Sequence, residues 1–165
     1  MNSLIVGLAA ALHLAAGAGA GQLTPTATAA PAPPYSSRVI ALAEAKAVVA
    51  AAQAEARKNG WTMTVVVLES NGQPVLLEKM DGTQYGSTDV AMKKAQTAAN
   101  FRRSTLVFQE AVKSGTLNAI FTGATAVEGG ELLLVDGKIV GAIGVSGGTA
   151  AQDGVVARAG QAVLK

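Results

Sequence analysis

The segment from Leu132 to Gly148 limits the possible folds of this chain more than any other stretch of its sequence. Two apolar runs flank the pair Asp136-Gly137, and this pair suits a two-residue type I′ turn, in which both central residues need positive φ. The second run ends in Ser146-Gly147-Gly148, after which a helical pattern begins. The segment therefore predicts a β-hairpin that continues through a glycine-rich step into a helix.

Apolar periodicity and capping residues place the other elements around this hairpin. We predict four helices, over about Val39–Asn59, from Ser87 or Thr88 to about Phe101, over about Ser104–Lys113 and over Thr149–Leu164. Ser36 or Ser37 is the predicted cap of the first helix. The predicted strands outside the hairpin are Thr62–Glu69 and Pro74–Met80. The segment 115–130 has room for one short strand. The order α-β-β-α-α-(β)-β-β-α predicts an α+β fold in which helices pack on an antiparallel sheet of four or five strands.

The composition of the chain changes at about residue 37, because Arg38 is its first charged side chain. An apolar run from Leu4 to Ala16 precedes small residues that form A-x-A cleavage sites up to Ala20, which predicts a signal peptide over residues 1–20. An uncleaved anchor is the alternative. Residues 21–37 are rich in Thr, Ala and Pro and predict a linker, so the folded domain spans residues 38–165. We expect a secreted or periplasmic protein with no membrane contact after cleavage.

Composition excludes several classes of function. A net charge of +2 and 4% aromatic residues do not make a nucleic-acid-binding surface. Gly144–Gly148 matches the G-x-S-x-G pattern, but the single histidine, His13, lies in the predicted signal peptide, so a Ser-His-Asp triad lacks its base. The chain has no cysteine, and its acidic residues form no metal-binding array, so we predict no metal site.

Two features could contribute to a ligand site. The step through Gly147 and Gly148 leaves N–H groups at a helix N-terminus, which favours an anion, and Asp153 is close enough in sequence to orient this loop. The alternative is that these glycines serve only the turn and close packing. Lys94 lies in a stripe of alanines, where a lysine most often extends its amine to water, and a ligand role is the alternative.

A series of short stretches, in order between Ile40 and Leu164, carries a family resemblance. They comprise Thr64–Val67, Asn71-Gly72, Met80–Gly82, Ala91, Lys94-Ala95, Thr97-Ala98, Phe101–Thr105, Gly129-Gly130, Gly141–Gly148, Asp153 and Ala159-Gly160. With these stretches the chain resembles the GlcG/HbpS-like family, which includes extracellular haem-binding proteins. The resemblance implies an α+β sandwich, assembly into homo-oligomers and, in the haem-binding branch, export.

The functional residues of that branch are only partly present in this chain. A threonine that reaches the haem iron corresponds to Ala124 within Thr122–Thr125, and a Glu-x-x-Glu iron motif falls on Asp89–Met92, which lacks one acid. Haem is therefore a cofactor implied by resemblance alone, and the domain offers no histidine to bind it. The remaining side chains able to ligate iron are Met63, Met80, Met92, Tyr35 and Tyr85.

Three functions stay open at this point. The first is an exported, oligomeric protein that binds haem or another small flat organic molecule. The second is an enzyme that acts on a small organic acid or carbonyl compound, with Lys94, Arg103 and the loop Gly144–Gly148 holding and polarising its anionic group. The third is a structural or partner-binding role. The candidate ligand-binding residues are Lys94, Arg103, Gly123, Ala124, Thr125, Ser146, Gly147, Gly148 and Asp153. We expect an oligomer because the strand Thr62–Glu69 is apolar on both faces, and one layer of helices would cover only one of them.

Overall fold

The computed structural model describes residues 31–118 and 123–164. Its elements are α1 (Leu42–Lys58), β1 (Thr64–Glu69), β2 (Pro74–Lys79), α2 (Ser87–Phe101), α3 (Thr105–Lys113), β3 (Gly130–Val135), β4 (Lys138–Ser146) and α4 (Ala150–Gln161). In these residues the strands form one sheet in the order β2-β1-β4-β3, and every neighbouring pair is antiparallel. The predicted α+β class, with four strands, is confirmed.

The hairpin between β3 and β4 has the predicted turn. Asp136 and Gly137 have φ values of 51° and 71°, and Val135 pairs with Lys138 across them. Two positive φ values are what a type I′ turn requires, and this turn matches the twist of the paired strands. The pair Asp136-Gly137 therefore sets the register in which the longest strand, β4, enters the sheet.

Helices cover both faces of the sheet. Val65 and Val67 of β1 belong to the core formed with α1 and α4, whereas Val66 and Leu68 pack against Ala91 and Ala95 of α2. Alternate residues of a strand point to opposite faces, so the two helix layers lie on opposite sides. The expectation that one face of β1 stays uncovered is therefore wrong, and burial of β1 gives no reason for an oligomer.

Glycine allows α2 to lie unusually close to β4. A Cβ atom added to Gly144 would overlap the carbonyl oxygen of Ala91 and would approach the Cβ atom of Ala95 to 2.9 Å. Ala91 and Ala95, which have small side chains, lie on the side of α2 that faces the sheet and allow the same close approach. This close approach fixes the position of α2, whose outer face carries the candidate site.

The chain enters the domain differently from the prediction. Ala41, not Ser36 or Ser37, precedes the first turn of α1, and its N–H donates to Glu44 Oε2 at 2.9 Å. The N–H of Ser36 instead donates to the carbonyl oxygen of Ile139, and the N–H of Ile139 donates to that of Pro34. The last residues of the predicted linker are therefore attached to β4, because their backbone groups find partners beyond the end of β1.

Two other sequence expectations concern the ends of the chain. The apolar pattern of the last helix predicts a buried face of Val155, Val156, Ala159 and Val163, and this prediction is wrong in part. The buried residues of α4 are Asp153, Gly154, Val156, Ala157 and Gly160, since small residues let α4 approach the sheet. The predicted signal peptide and residues 21–30 of the linker lie outside the described residues. Among the described helices, none combines the length and apolar character needed to cross a membrane.

Candidate functional site

A cleft of about 440 Å³ lies between the outer face of α2 and the loop 123–125. The helix contributes Lys93, Gln96, Thr97 and Asn100, whose spacing places them on one face over two turns. The loop contributes Gly123, Ala124 and Thr125, three of the residues predicted to bind a ligand. The structure thus brings these predicted loop residues against a polar helix face.

One hydrogen bond attaches the loop to the helix. The N–H of Thr125 donates to Thr97 Oγ1 at 2.9 Å, and the side chain of Thr97 is buried beneath it. Since Thr97 lies in the middle of α2, this bond fixes the loop at a set distance from the helix. Thr122, which neighbours this loop, lies outside the described residues.

The side chains of the cleft are suited to polar and anionic groups of a ligand. Lys93 offers an exposed ammonium group, and the exposed amides of Gln96 and Asn100 can each donate and accept hydrogen bonds. The described residues that line the cleft include no His, Cys, Met or Tyr, the usual strong ligands of haem iron. The donor set therefore fits carboxylates and ring edges better than a tightly ligated iron. In the described residues, no group of three or more potential metal ligands is close enough together to hold a metal ion.

Lys94 follows Lys93 directly in sequence but points into the interior. Its side chain is 0% exposed, and its Nζ atom donates to Asp153 Oδ2 at 2.6 Å and to the carbonyl oxygen of Val145 at 3.0 Å. The amine passes Gly129, where a Cβ atom would approach Nζ to 3.0 Å. The interpretation that Lys94 reaches water is therefore wrong, because a buried acid on α4 offers it a partner.

Asp153 binds the glycine-rich step as well as Lys94. Its Oδ1 atom accepts the N–H of Gly148 at 3.0 Å, which confirms that Asp153 orients this loop from within. The amide that we expected to receive a ligand anion thus receives a carboxylate of the chain itself. Ser146, Gly147, Gly148 and Asp153 do not line the cleft beside α2.

Burial has the largest effect on the pKa values of Lys94 and Asp153. Burial lowers the pKa of Lys94 below its ordinary value, although the hydrogen bond that Lys94 donates to Asp153 acts in the opposite direction. Burial likewise raises the pKa of Asp153, opposed by Lys94 and by the amides of Gly148 and Gly147. The two side chains therefore remain in the core at a desolvation cost, and they join α2 to α4 across the sheet.

Arg103 lies at the surface, separate from Lys94. Its guanidinium lies 5.9 Å from the centre of the Phe108 ring, and its Nε atom donates to the carbonyl oxygen of Phe101 at 3.2 Å. The enzyme hypothesis needs Lys94, Arg103 and the loop Gly144–Gly148 around one anionic group. The structure does not assemble these groups at one surface, because Lys94 is enclosed.

Comparisons with known proteins agree with this fold. Residues 40–162 match the family model described as "Haem degrading protein HbpS-like". Protein GlcG of Escherichia coli strain K12 is 41% identical over 93 residues, which cover 55% of this chain and 69% of GlcG.

Two solved structures are similar over most of their length. A double glutamate-to-aspartate mutant of HbpS from Streptomyces reticuli is 30% identical, with a TM-score of 0.71, and the match covers 96% of this chain and 99% of that one. The protein ORFY of Klebsiella pneumoniae is 26% identical, with a TM-score of 0.72, and the match covers 78% and 92% of the two chains.

Proposed function

Because this chain belongs to the HbpS-like family, we propose that it binds haem or another small flat organic molecule in the cleft between α2 and residues 123–125. The observation that carries the proposal is the cleft itself. It has one rigid wall, the helix, and one wall fixed by the bond from Thr125 to Thr97. A concave site with a few placed polar groups is the usual form of a small-molecule site.

The polar groups of the cleft define how such a ligand is held. Lys93 can pair with a carboxylate of the ligand, such as a haem propionate, and the amides of Gln96 and Asn100 can bind its polar edges. Haem would supply iron chemistry when bound, but no strong iron ligand lines the described part of this cleft. Affinity then comes from contact with the flat ring and from the carboxylates, which corresponds to a dissociation constant in the micromolar range, about 1 to 100 μM.

A charge-removal experiment tests this mode of binding. Haemin is titrated into the full chain and into Lys93→Gln, and the Soret absorbance is followed. Lys46→Gln serves as the matched control, because Lys46 is an exposed lysine on α1, at the opposite face of the sheet. We expect about threefold to tenfold weaker binding for Lys93→Gln, the size of one charge-assisted contact at a partly exposed site, and no change for the control. Equal affinity for all three proteins would contradict the proposed site.

We also propose that the protein is exported and forms a homo-oligomer. The apolar run from Leu4 to Ala16 and the small residues up to Ala20 support export. The position of β2 at the edge of the sheet supports association, since an edge strand can pair with another chain. Leu77 on this strand is 40% exposed, which adds apolar surface to the same edge.

A further inference from the structure

The cleft beside α2 has a neighbour at the C-terminal end of the helix. A second cleft, of about 360 Å³, is lined by Tyr35, Ser70, Asn71 and Asn100. Asn100 belongs to both clefts, so its side chain forms the boundary between them. A ligand that extends along the helix from Lys93 would meet the second cleft after about 10 Å, since a helix rises 1.5 Å per residue.

Tyr35 is held firmly in this second cleft. The residue pairs with Ile139 of β4, and the backbone bonds of Pro34 and Ser36 to Ile139 flank it on both sides. Its hydroxyl donates to the carbonyl oxygen of Ala99 at 2.8 Å. Tyr35 is nevertheless 45% exposed, so an aromatic side chain with a fixed orientation reaches the surface next to Asn100.

A second cation accompanies this ring. The guanidinium of Arg102 lies 5.8 Å from the centre of the Tyr35 ring, and Arg102 has a left-handed backbone conformation, with a φ of 52°, at the end of α2. Lys93 lines the first cleft and Arg102 lies beside the aromatic ring of the second, so each cleft has a cation near it. An aromatic surface with a cation near each of the two clefts fits an extended flat molecule that carries negative charge.

We propose that the ligand site continues past Asn100 onto Tyr35, and that its ligands are extended planar aromatic carboxylates, of which porphyrins are one class. This inference rests on the proposed function, because it lengthens the same site. Tyr35 contributes the exposed part of its ring, since its hydroxyl is already bonded to Ala99. Arg102 contributes positive charge beside that ring.

The experiment compares variants of the full chain with two probes. Haemin binding is followed by Soret absorbance, and binding of protoporphyrin IX, which has the same ring and carboxylates without iron, is followed by porphyrin fluorescence. Tyr35→Ala removes the ring, and Tyr35→Phe removes only the hydroxyl. Tyr85→Ala is the matched control, because Tyr85 is 95% exposed and lines neither cleft. Arg102→Asn gives an independent variant, since asparagine tolerates the left-handed conformation.

We expect both probes to bind Tyr35→Ala about threefold to tenfold more weakly than wild type, which is the range of one aromatic stacking contact. For Tyr35→Phe and Tyr85→Ala we expect affinities within about twofold of wild type. Arg102→Asn should weaken both probes in the same direction, and it decides the question if Tyr35→Ala fails to fold. If Tyr35→Ala and Arg102→Asn bind as wild type does, while Lys93→Gln is impaired, the extension is wrong and the proposed function stands. If wild type binds neither probe, the proposed function fails and the extension fails with it.

Discussion

Removal of the Lys94 amine should cost this protein a large part of its stability. In Lys94→Met the carboxylate of Asp153 loses the Nζ atom at 2.6 Å and stays in a core where its side chain is 4% exposed. An unpaired buried charge of this kind costs about 3–5 kcal/mol, against a total stability of about 5–15 kcal/mol for a domain. For a domain of this size we expect the Tm to fall by roughly 10–20 °C.

The double variant Lys94→Met/Asp153→Leu separates charge pairing from packing. It removes both charges, so it should recover at least half of the loss seen in Lys94→Met. Full recovery is not expected, because the N–H of Gly148 also loses its acceptor, which costs about 1–3 kcal/mol. Urea unfolding followed by the fluorescence of Trp61, which packs against the core, gives the free energy of unfolding of each variant.

Lys93→Met is the matched control for this experiment, since Lys93 is the exposed neighbour of Lys94 on the same helix. Its free energy of unfolding should change by less than about 0.5 kcal/mol. A loss below about 1 kcal/mol in Lys94→Met would contradict the described pair. So would a double variant whose loss equals the sum of the two single losses, because such additivity means that the side chains do not interact.

Four further predictions concern packing, pH, processing and assembly. Gly144→Ala should cost about 3 kcal/mol in urea unfolding, because its Cβ atom would overlap the backbone of Ala91, whereas Gly86→Ala, which meets open space, should cost much less. Burial raises the pKa of Glu131, so the contribution of this side chain to stability is present at low pH and is lost as the pH rises above about 4. In Glu131→Gln the free energy of unfolding should therefore depend less on pH in this range. Mass spectrometry of exported protein should find the N-terminus near residues 18–20, and an intact N-terminus would favour an anchor. Light scattering at micromolar concentration should show an oligomer, and a uniform monomer would refute that proposal.

The sequence predicted those parts of the fold that depend on local chemistry. The pair Asp136-Gly137 has few alternatives to a tight hairpin, and the apolar run in β1 predicted a strand that is apolar on both faces. Family resemblance and the order of elements led to the same α+β sheet, and both are confirmed. The covering of β1 was still attributed wrongly to a partner subunit, because hydrophobic periodicity does not show on which face a helix packs.

The site was harder to predict because its contacts join distant segments. Lys94 and Asp153 are separated by 59 positions, and no local pattern indicates that a lysine among alanines has a buried acid as its partner. The sequence did carry a signal for the cleft, in the polar residues near Lys94 on the same helix. Lys93, Gln96 and Asn100 are the polar positions left over when the alanine stripe of α2 faces the sheet, and they line the cleft. No sequence pattern indicated a ligand role for Tyr35, because its proline-rich segment resembles a linker. Only the structure shows that the backbone of this segment pairs with β4.

A paired titration of the full chain with haemin and with iron-free protoporphyrin IX tests most directly whether the cleft beside α2 recognises a flat ring and its carboxylates. Since the described lining of that cleft holds no strong iron ligand, both dissociation constants should lie in the micromolar range and agree within about threefold. The spectrum of bound haemin should stay close to that of free haemin. A sharp, shifted Soret band with nanomolar affinity for haemin, absent for protoporphyrin IX, would contradict this account, because it would require an iron ligand that the cleft as described does not provide.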